Sequence, residues 1–371
     1  MQVVLASESP QQREQVRRTV LGVGLRCEGT DCVDFAGLPL RLARGNVDLV
    51  LVGMEQGRKR ALPAIAEALR YSDRPILAIG PATNTERVVE VLRSGAREYL
   101  DQERVQDELI DAIDRLRRAG VVENRQGKVV GLLSATAGTG VTTLSAGLAF
   151  ALAQHKAGEV LLAEVGSGSP EFALQLNLQP SYTLRMLLRD WDRVDATVLR
   201  QTLVGHPLGV QVLCAHTTGL TPPAVPAATM RQLLALSRNL FDHGVFDLGH
   251  GLSEAAVESL QHLDEVFLVT RLEVPALSLT KRLINVLTQQ HNVPPERLQL
   301  VGNRGNQRGQ LTRRQVEEIL GYQLLGVVAD EPATAIQAQN EGRALQEVAP
   351  RGKMCRTLAE MAKRLATSPA A

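Results

Sequence analysis

The chain has 371 residues, of which 44% are hydrophobic and 22% charged but only 3% aromatic, so its cores rest on Leu, Val, Ile and Ala rather than on rings. That length implies two domains, each burying its own apolar face. With 41 Lys and Arg against 40 Asp and Glu the formal net charge is +1, which excludes a surface built to neutralise many phosphates and argues against nucleic acid as a partner.

Short apolar runs alternate with helix-length segments from the start: VVLAS, a helix over 10–21, VDLVLVG at 47–53, a helix near 61–70, RPILAIG at 74–80, a helix near 84–94 and AREYL at 96–100. Alternation of this kind predicts an α/β domain of βα units in a doubly wound parallel sheet. A helix from about Glu103 to Arg118, with Leu109, Ile110, Ile113 and Leu116 on one side, closes this first domain over 1–118. The polar segment AGVVENRQG, 119–127, reads as a linker.

A second series over 128–371 offers seven strands: KVVGLLS from Lys128, then EVLLAEV (159–165), GVQVLCA (209–215), HGVFDLG (243–249), DEVFLVT (264–270), RLQLVGN (297–303) and YQLLGVV (322–328). They are continuous apolar runs, the pattern of strands covered on both faces, so a mostly parallel sheet between helices is expected. The Pro-rich TTGLTPPAVPAAT, 217–229, reads as a loop. Cys27, Cys32, Cys214 and Cys355 lack metal-ligand spacing and read as reduced, mostly buried thiols. The amino-terminal stretch soon turns polar and no run approaches the length of a membrane span, so the chain is expected to be cytoplasmic, or peripheral to a membrane.

Between the first strand and first helix of the second domain stands GLLSATAGTGVTTLSAGLAFALAQ, 131–154. Gly138 and Gly140 let backbone approach a phosphate, and the helix N-terminus behind them suits an anion, so Gly138, Thr139, Gly140, Val141, Thr142 and Thr143 form the candidate loop. The Thr142 hydroxyl stands where a Mg²⁺ ligand is wanted. Asp247, late in an apolar strand, either holds Mg²⁺ or its water shell or caps the next helix. Asn303 and Arg304 end another strand at the ligand-binding edge, where Asn303 reads an adenine or makes an Asx-type turn. The C-terminal KMCRTLAEMAKRLA, 353–366, has Met354, Leu358, Met361 and Leu365 at helical spacing; it packs on its own sheet or lies on a membrane surface, its narrow stripe favouring the sheet.

Two resemblances follow from these residues. Residues 1–118 resemble the receiver domain of response regulators, a flavodoxin-like fold, with Ser7 and Glu8, Gly53, Gly80 and Gln102 at the positions of the acidic pair, the phospho-acceptor Asp, the Thr or Ser and the Lys. Without a carboxylate at Gly53 no phosphoryl group can be accepted, so the resemblance implies a pseudo-receiver. Residues 128–367, through SATAGTGVTTLSAGLAFALA, VLLAEVGSGSPEFALQLNLQPSYTLRMLLRD, FDHGVFDLGH and VGNRGNQRGQLTRRQVEEILGYQLLGVVADEPATAIQAQNEGRAL, resemble MinD/ParA-like deviant P-loop ATPases. The whole chain resembles the TadZ/CpaE proteins of the tight adherence (Tad, Flp-type) pilus system, which join two such domains.

The resemblance implies ATP and Mg²⁺ as ligands, a homodimer, and partners such as the assembly ATPase and the inner-membrane platform, with a membrane or a cell pole reached only through them. The departures are chemical. Where the family has its signature lysine and its phosphate lysine, this chain has Thr136 and Val141; where the family has a pair of acids, it has Glu164 and Gly166. Of the six lysines Lys128 is nearest in sequence, but it begins a strand whose far end, about 20 Å away at strand rise, carries the loop. Little hydrolysis is expected, with ATP binding left open and an arginine from elsewhere still available as a substitute cation.

Overall fold

The computed structural model describes residues 1–54, 58–122, 127–166, 171–216 and 223–367. It divides into two compact units, Met1–Arg125 and Gln126–Ala371.

In the first unit the strands are β1 (Val3–Ala6), β2 (Cys32–Val33), β3 (Leu49–Gly53), β4 (Ile76–Gly80) and β5 (Glu98–Asp101). All pair in parallel, in the order β2-β1-β3-β4-β5, with helices Pro10–Gly22, Leu38–Ala43, Arg58–Tyr71 and Thr85–Arg93 as crossovers and Val105–Arg118 following the last strand. β1, β3 and β4 are buried at every position, as their unbroken apolar runs require. Local chemistry sets the helix starts: Ser9 accepts from the Gln12 N–H with Pro10 behind it, and Asn84 accepts from the Arg87 N–H. No apolar run between the first helix and residue 47 predicts a strand, yet β2 forms there, too short to show an alternation. The expected linker loses its first part to this unit, since the Val121 N–H bonds to the Leu116 carbonyl at 2.9 Å and Val122 is buried; 123–126 lie outside the described residues.

The second unit carries β6 (Lys128–Ser134), β7 (Val160–Glu164), β8 (Val204–Gly205), β9 (Val210–Leu213), β10 (His243–His250), β11 (Glu265–Arg271), β12 (Leu298–Gly305) and β13 (Leu324–Ala329). They form one sheet in the order β13-β12-β11-β6-β10-β7-β9-β8, parallel apart from the two-residue β8 against β9. One core face gathers Leu133, Phe246, Leu268, Leu233 and Leu277, and the opposite face gathers Leu132, Val245, Phe267, Phe150 and Leu358. All seven expected strands are present. Helix Ala227–Leu240 begins inside the Pro-rich stretch expected as a loop, of which 217–222 lie outside the described residues.

The C-terminal helix Lys353–Thr367 spends its apolar stripe on this core: Met354, Leu358, Met361 and Leu365 are buried, and a Cβ on Gly147 would come within 2.6 Å of Leu358 Cδ1. The membrane-surface alternative has no apolar face left to use. Among the described residues no helix is long and apolar enough to cross a membrane.

Candidate nucleotide site

The loop between β6 and helix Val141–Gln154 lies at the carboxyl edge of the central strand, flanked by β10 and β11. Gly138 and Gly140 adopt φ of 73° and 95°, a left-handed turn that side-chain-bearing residues rarely take. Neighbouring groups hold the loop. Ser134 Oγ donates to the Thr136 carbonyl at 2.7 Å, the Asn303 amide donates to the Thr139 carbonyl at 2.6 Å, and the Asn303 side-chain oxygen accepts from the Arg304 N–H at 2.9 Å. Asn303 is buried and used at both ends as a strut beneath the loop, so the adenine-reading alternative would need it to leave these partners. Arg304, at φ 53°, is exposed.

Helix Val141–Gln154 has no side-chain N-cap, which leaves its first N–H groups available to an anion. A Cβ on Gly138 would meet nothing within 4 Å. The Thr142 hydroxyl donates to Asp247, which also accepts from the Gly249 N–H at 2.9 Å. Burial pushes the Asp247 carboxyl up to about 6, against the pull of those two hydrogen bonds. Two oxygen ligands thus sit together beside an uncapped helix start, and this arrangement could hold a phosphate chain through backbone and a hard divalent cation through Thr142 and Asp247. Bound there, the cation would offset the charge of the phosphates and of Asp247.

Packing occupies the positions of one expected lysine and of the second expected acid. Val141 is buried in the apolar core. Lys128 is also buried, paired with Glu265 Oε1 at 2.8 Å at the opposite end of β6. Glu164 accepts from the backbone N–H groups of Glu171, Phe172 and Ala215, and burial raises its carboxyl pKa. It is a clasp joining β7 to two loops, a role the sequence did not signal. At Gly166 a Cβ would overlap the backbone of Leu248 and Gly249. Neither position offers a free carboxylate to orient water.

A family model described as the CobQ/CobB/MinD/ParA nucleotide binding domain matches residues 130–343. The chain belongs to this family. Septum site-determining protein MinD of Bacillus subtilis (strain 168) is 24% identical over 220 residues, 58% of this chain and 81% of that protein. Among solved structures, a ParA family ATPase from Chlorobium tepidum TLS aligns with a TM-score of 0.57 at 21% identity, over 64% of this chain and 98% of that one. The septum site-determining protein MinD from Pyrococcus horikoshii OT3, complexed with Mg-ADP, aligns with a TM-score of 0.54 at 19% identity, over 64% and 96%. At these identities the structural likeness speaks for the fold; the membership rests on the family model, which covers the loop, Asp247 and Asn303 of this MinD/ParA-type domain.

At the carboxyl edge of the first unit the space beside Gly53 and Gly80 is taken. The Ser7 hydroxyl donates to Gln12 Oε1 at 2.6 Å, and a Cβ on Gly53 would overlap that Gln12 carboxamide. A Cβ on Gly80 would lie 2.5 Å from the Tyr99 hydroxyl and 2.8 Å from Met54 Cβ. A neutral amide and a phenol fill the space where the working pattern would need a carboxylate and a hydroxyl.

Proposed function

We propose that the chain is a dimeric assembly and localisation factor of a Tad (Flp-type) pilus or related secretion machine, acting by protein interaction, with a MinD/ParA-type site that binds ATP with Mg²⁺ but barely hydrolyses it.

 The observation that carries this reading is the closed position at Gly166: the cradle and the Thr142–Asp247 pair are intact, while both lysines are gone and the second acid has no room. Thr142, Asp247 and the N–H groups of 138–143 would hold the nucleotide in this MinD/ParA-type domain, with Asn303 and Arg304 bracing or flanking it.

The N-terminal unit supports the same reading. Its strand order is the doubly wound one that receivers share with flavodoxin, and the occupied space beside Gly53 and Gly80 suits a docking domain that kept the fold without phosphoryl chemistry. Its partners would be the assembly ATPase and the inner-membrane platform, reached from the cytoplasm. The test is a deletion of the gene in a Tad-piliated bacterium, complemented with the wild type and with Thr142→Ala. Loss of surface pili with restoration by both alleles fits a scaffold independent of turnover; normal piliation in the deletion strain overturns the pilus assignment.

The second reading, an active positioning ATPase with a non-standard cation, is favoured by the intact Thr142–Asp247 pair. Phosphate release comparable to a MinD-type enzyme, and lost in Thr142→Ala, would replace the scaffold with it.

A further inference from the structure

Cys27 and Cys32 place their sulfur atoms 3.6 Å apart in the first unit. Cys27 is buried and Cys32 is half-buried on β2, the edge strand, which among the described residues pairs only with β1. The turn between them is braced. The Glu28 N–H donates to Asp31 Oδ2 at 2.7 Å, and buried Asp31 is gripped by Arg41 at 2.7 Å and by the Gln2 amide at 2.6 Å. The frame therefore sets the separation of the two sulfurs, and side-chain rotation has about 1.5 Å to close for a covalent bond.

We propose that Cys27 and Cys32 are a thiol–disulfide exchange site, with Cys32 attacking low-molecular-weight disulfides such as glutathione disulfide and Cys27 resolving the product into an intrachain bond. The Cys32 thiolate attacks one sulfur of glutathione disulfide, forming a mixed disulfide and expelling a glutathione thiolate that takes up a proton. Cys27 then gives up its proton and its sulfur attacks that of Cys32, releasing the second glutathione. The protein thiols lose two electrons in total, and the glutathione disulfide gains them. The roles follow from the surroundings. Cys32 is the more exposed of the two, and its contact with Cys27 holds it below the usual thiol range, with Arg17 assisting against burial, while the same contact and burial raise Cys27. Cys214 and Cys355, in the other unit, are pushed up by burial to about 12 and about 11 and serve as internal controls. The product would fasten a two-residue edge strand to the chain before it.

The experiment equilibrates the full chain in glutathione redox buffers, blocks remaining thiols by alkylation and digests with trypsin. Cleavage after Arg26 and Arg41 puts both cysteines in one peptide. The expected peptide is unalkylated and two hydrogens lighter, reverts with dithiothreitol, and is accompanied by alkylated Cys214 and Cys355. Cys27→Ser should stop at glutathione bound to Cys32, and Cys32→Ser should leave Cys27 unmodified. Native-state iodoacetamide labelling of the wild type needs no variant to fold, and Cys32 should react about tenfold faster than the other three. Full alkylation of Cys27 and Cys32 in the most oxidising buffer, glutathione on Cys27 in the Cys32→Ser chain, or equal labelling rates for all four thiols would each overturn the assignment.

Discussion

Gly166 lies so close to the backbone of Leu248 that a Cβ there would overlap it, which puts the turn after β7 directly on the end of β10. The missing acid is therefore not a one-residue reversion away. Gly166→Asp is expected to destabilise the chain by about 1–3 kcal/mol through overpacking, with phosphate release still at background. Thermal melting and a phosphate-release assay check both. A stable Gly166→Asp protein with enzyme-like turnover would mean that the turn can move off β10.

Thr142 supplies one of the two donors that Asp247 receives in its buried position. Thr142→Ala is expected to cost about 1–3 kcal/mol of stability without any nucleotide, because a buried acceptor loses its partner. Thr142→Ser keeps the hydroxyl and should recover most of that. Isothermal titration with ATP and Mg²⁺ should show about tenfold weaker binding for the Ala variant than for the Ser variant. Equal affinities would remove Thr142 from the cation site.

Much of this was legible in the chain. The seven strands read as apolar runs in the second unit are all there, because a strand buried on both faces writes its burial into every residue. β2 and β8 were missed for the opposite reason, having two residues each and no periodicity to read. The loop was visible through Gly138, Gly140 and the helix behind them. The strut from Asn303 to Thr139 spans 164 residues of sequence, and the contact of Gly166 with Leu248 is a backbone approach; neither leaves a local pattern. Glu164 read as a remnant of a catalytic pair, whereas its three backbone donors come from segments that only the fold assembles.

Gly53→Asp alone should not create a phospho-acceptor, since the new side chain meets the Gln12 carboxamide that Ser7 already holds. Acetyl phosphate treatment followed by mass spectrometry should find no phospho-aspartate in residues 1–118 of either the wild type or the variant. A stoichiometric adduct on the wild type would show that another carboxylate serves, and the docking-domain reading would fall.

Glu164 makes the stability of the fold depend on pH. Burial raises its folded-state pKa above the ordinary carboxylate value, so the folded chain binds that proton more tightly than the unfolded one. Its contribution is fully present below the unfolded pKa and is lost as pH rises through the raised one. Glu164→Gln turns an amide N–H toward a backbone donor and should cost about 1–3 kcal/mol, while abolishing this titration. Urea unfolding of both chains from pH 4 to 8, about the span in which ordinary and raised carboxyls titrate, should show the gap narrowing as pH rises. A gap that widens with pH would mean that the three backbone donors outweigh burial.

Association is expected through the loop face of the second unit. Thr139 is only 3% exposed, so a charged residue there would test packing rather than contact. Ala137 and Gly138 are exposed on the same loop and make better probes. With Thr136 and Val141 in place of two lysines, paired loops would bring no like charges together, and a dimer could form whether or not phosphate is bound. The full chain is therefore expected to sediment as a dimer with and without ATP and Mg²⁺. Ala137→Glu should weaken that dimer about tenfold or more, with unchanged circular dichroism, because it sets two carboxylates against each other where the faces meet. Analytical ultracentrifugation over a concentration series reads the constant directly. A monomer in every condition, or a dimer indifferent to Ala137→Glu, would show that the loop face is not the contact and that any association uses another surface.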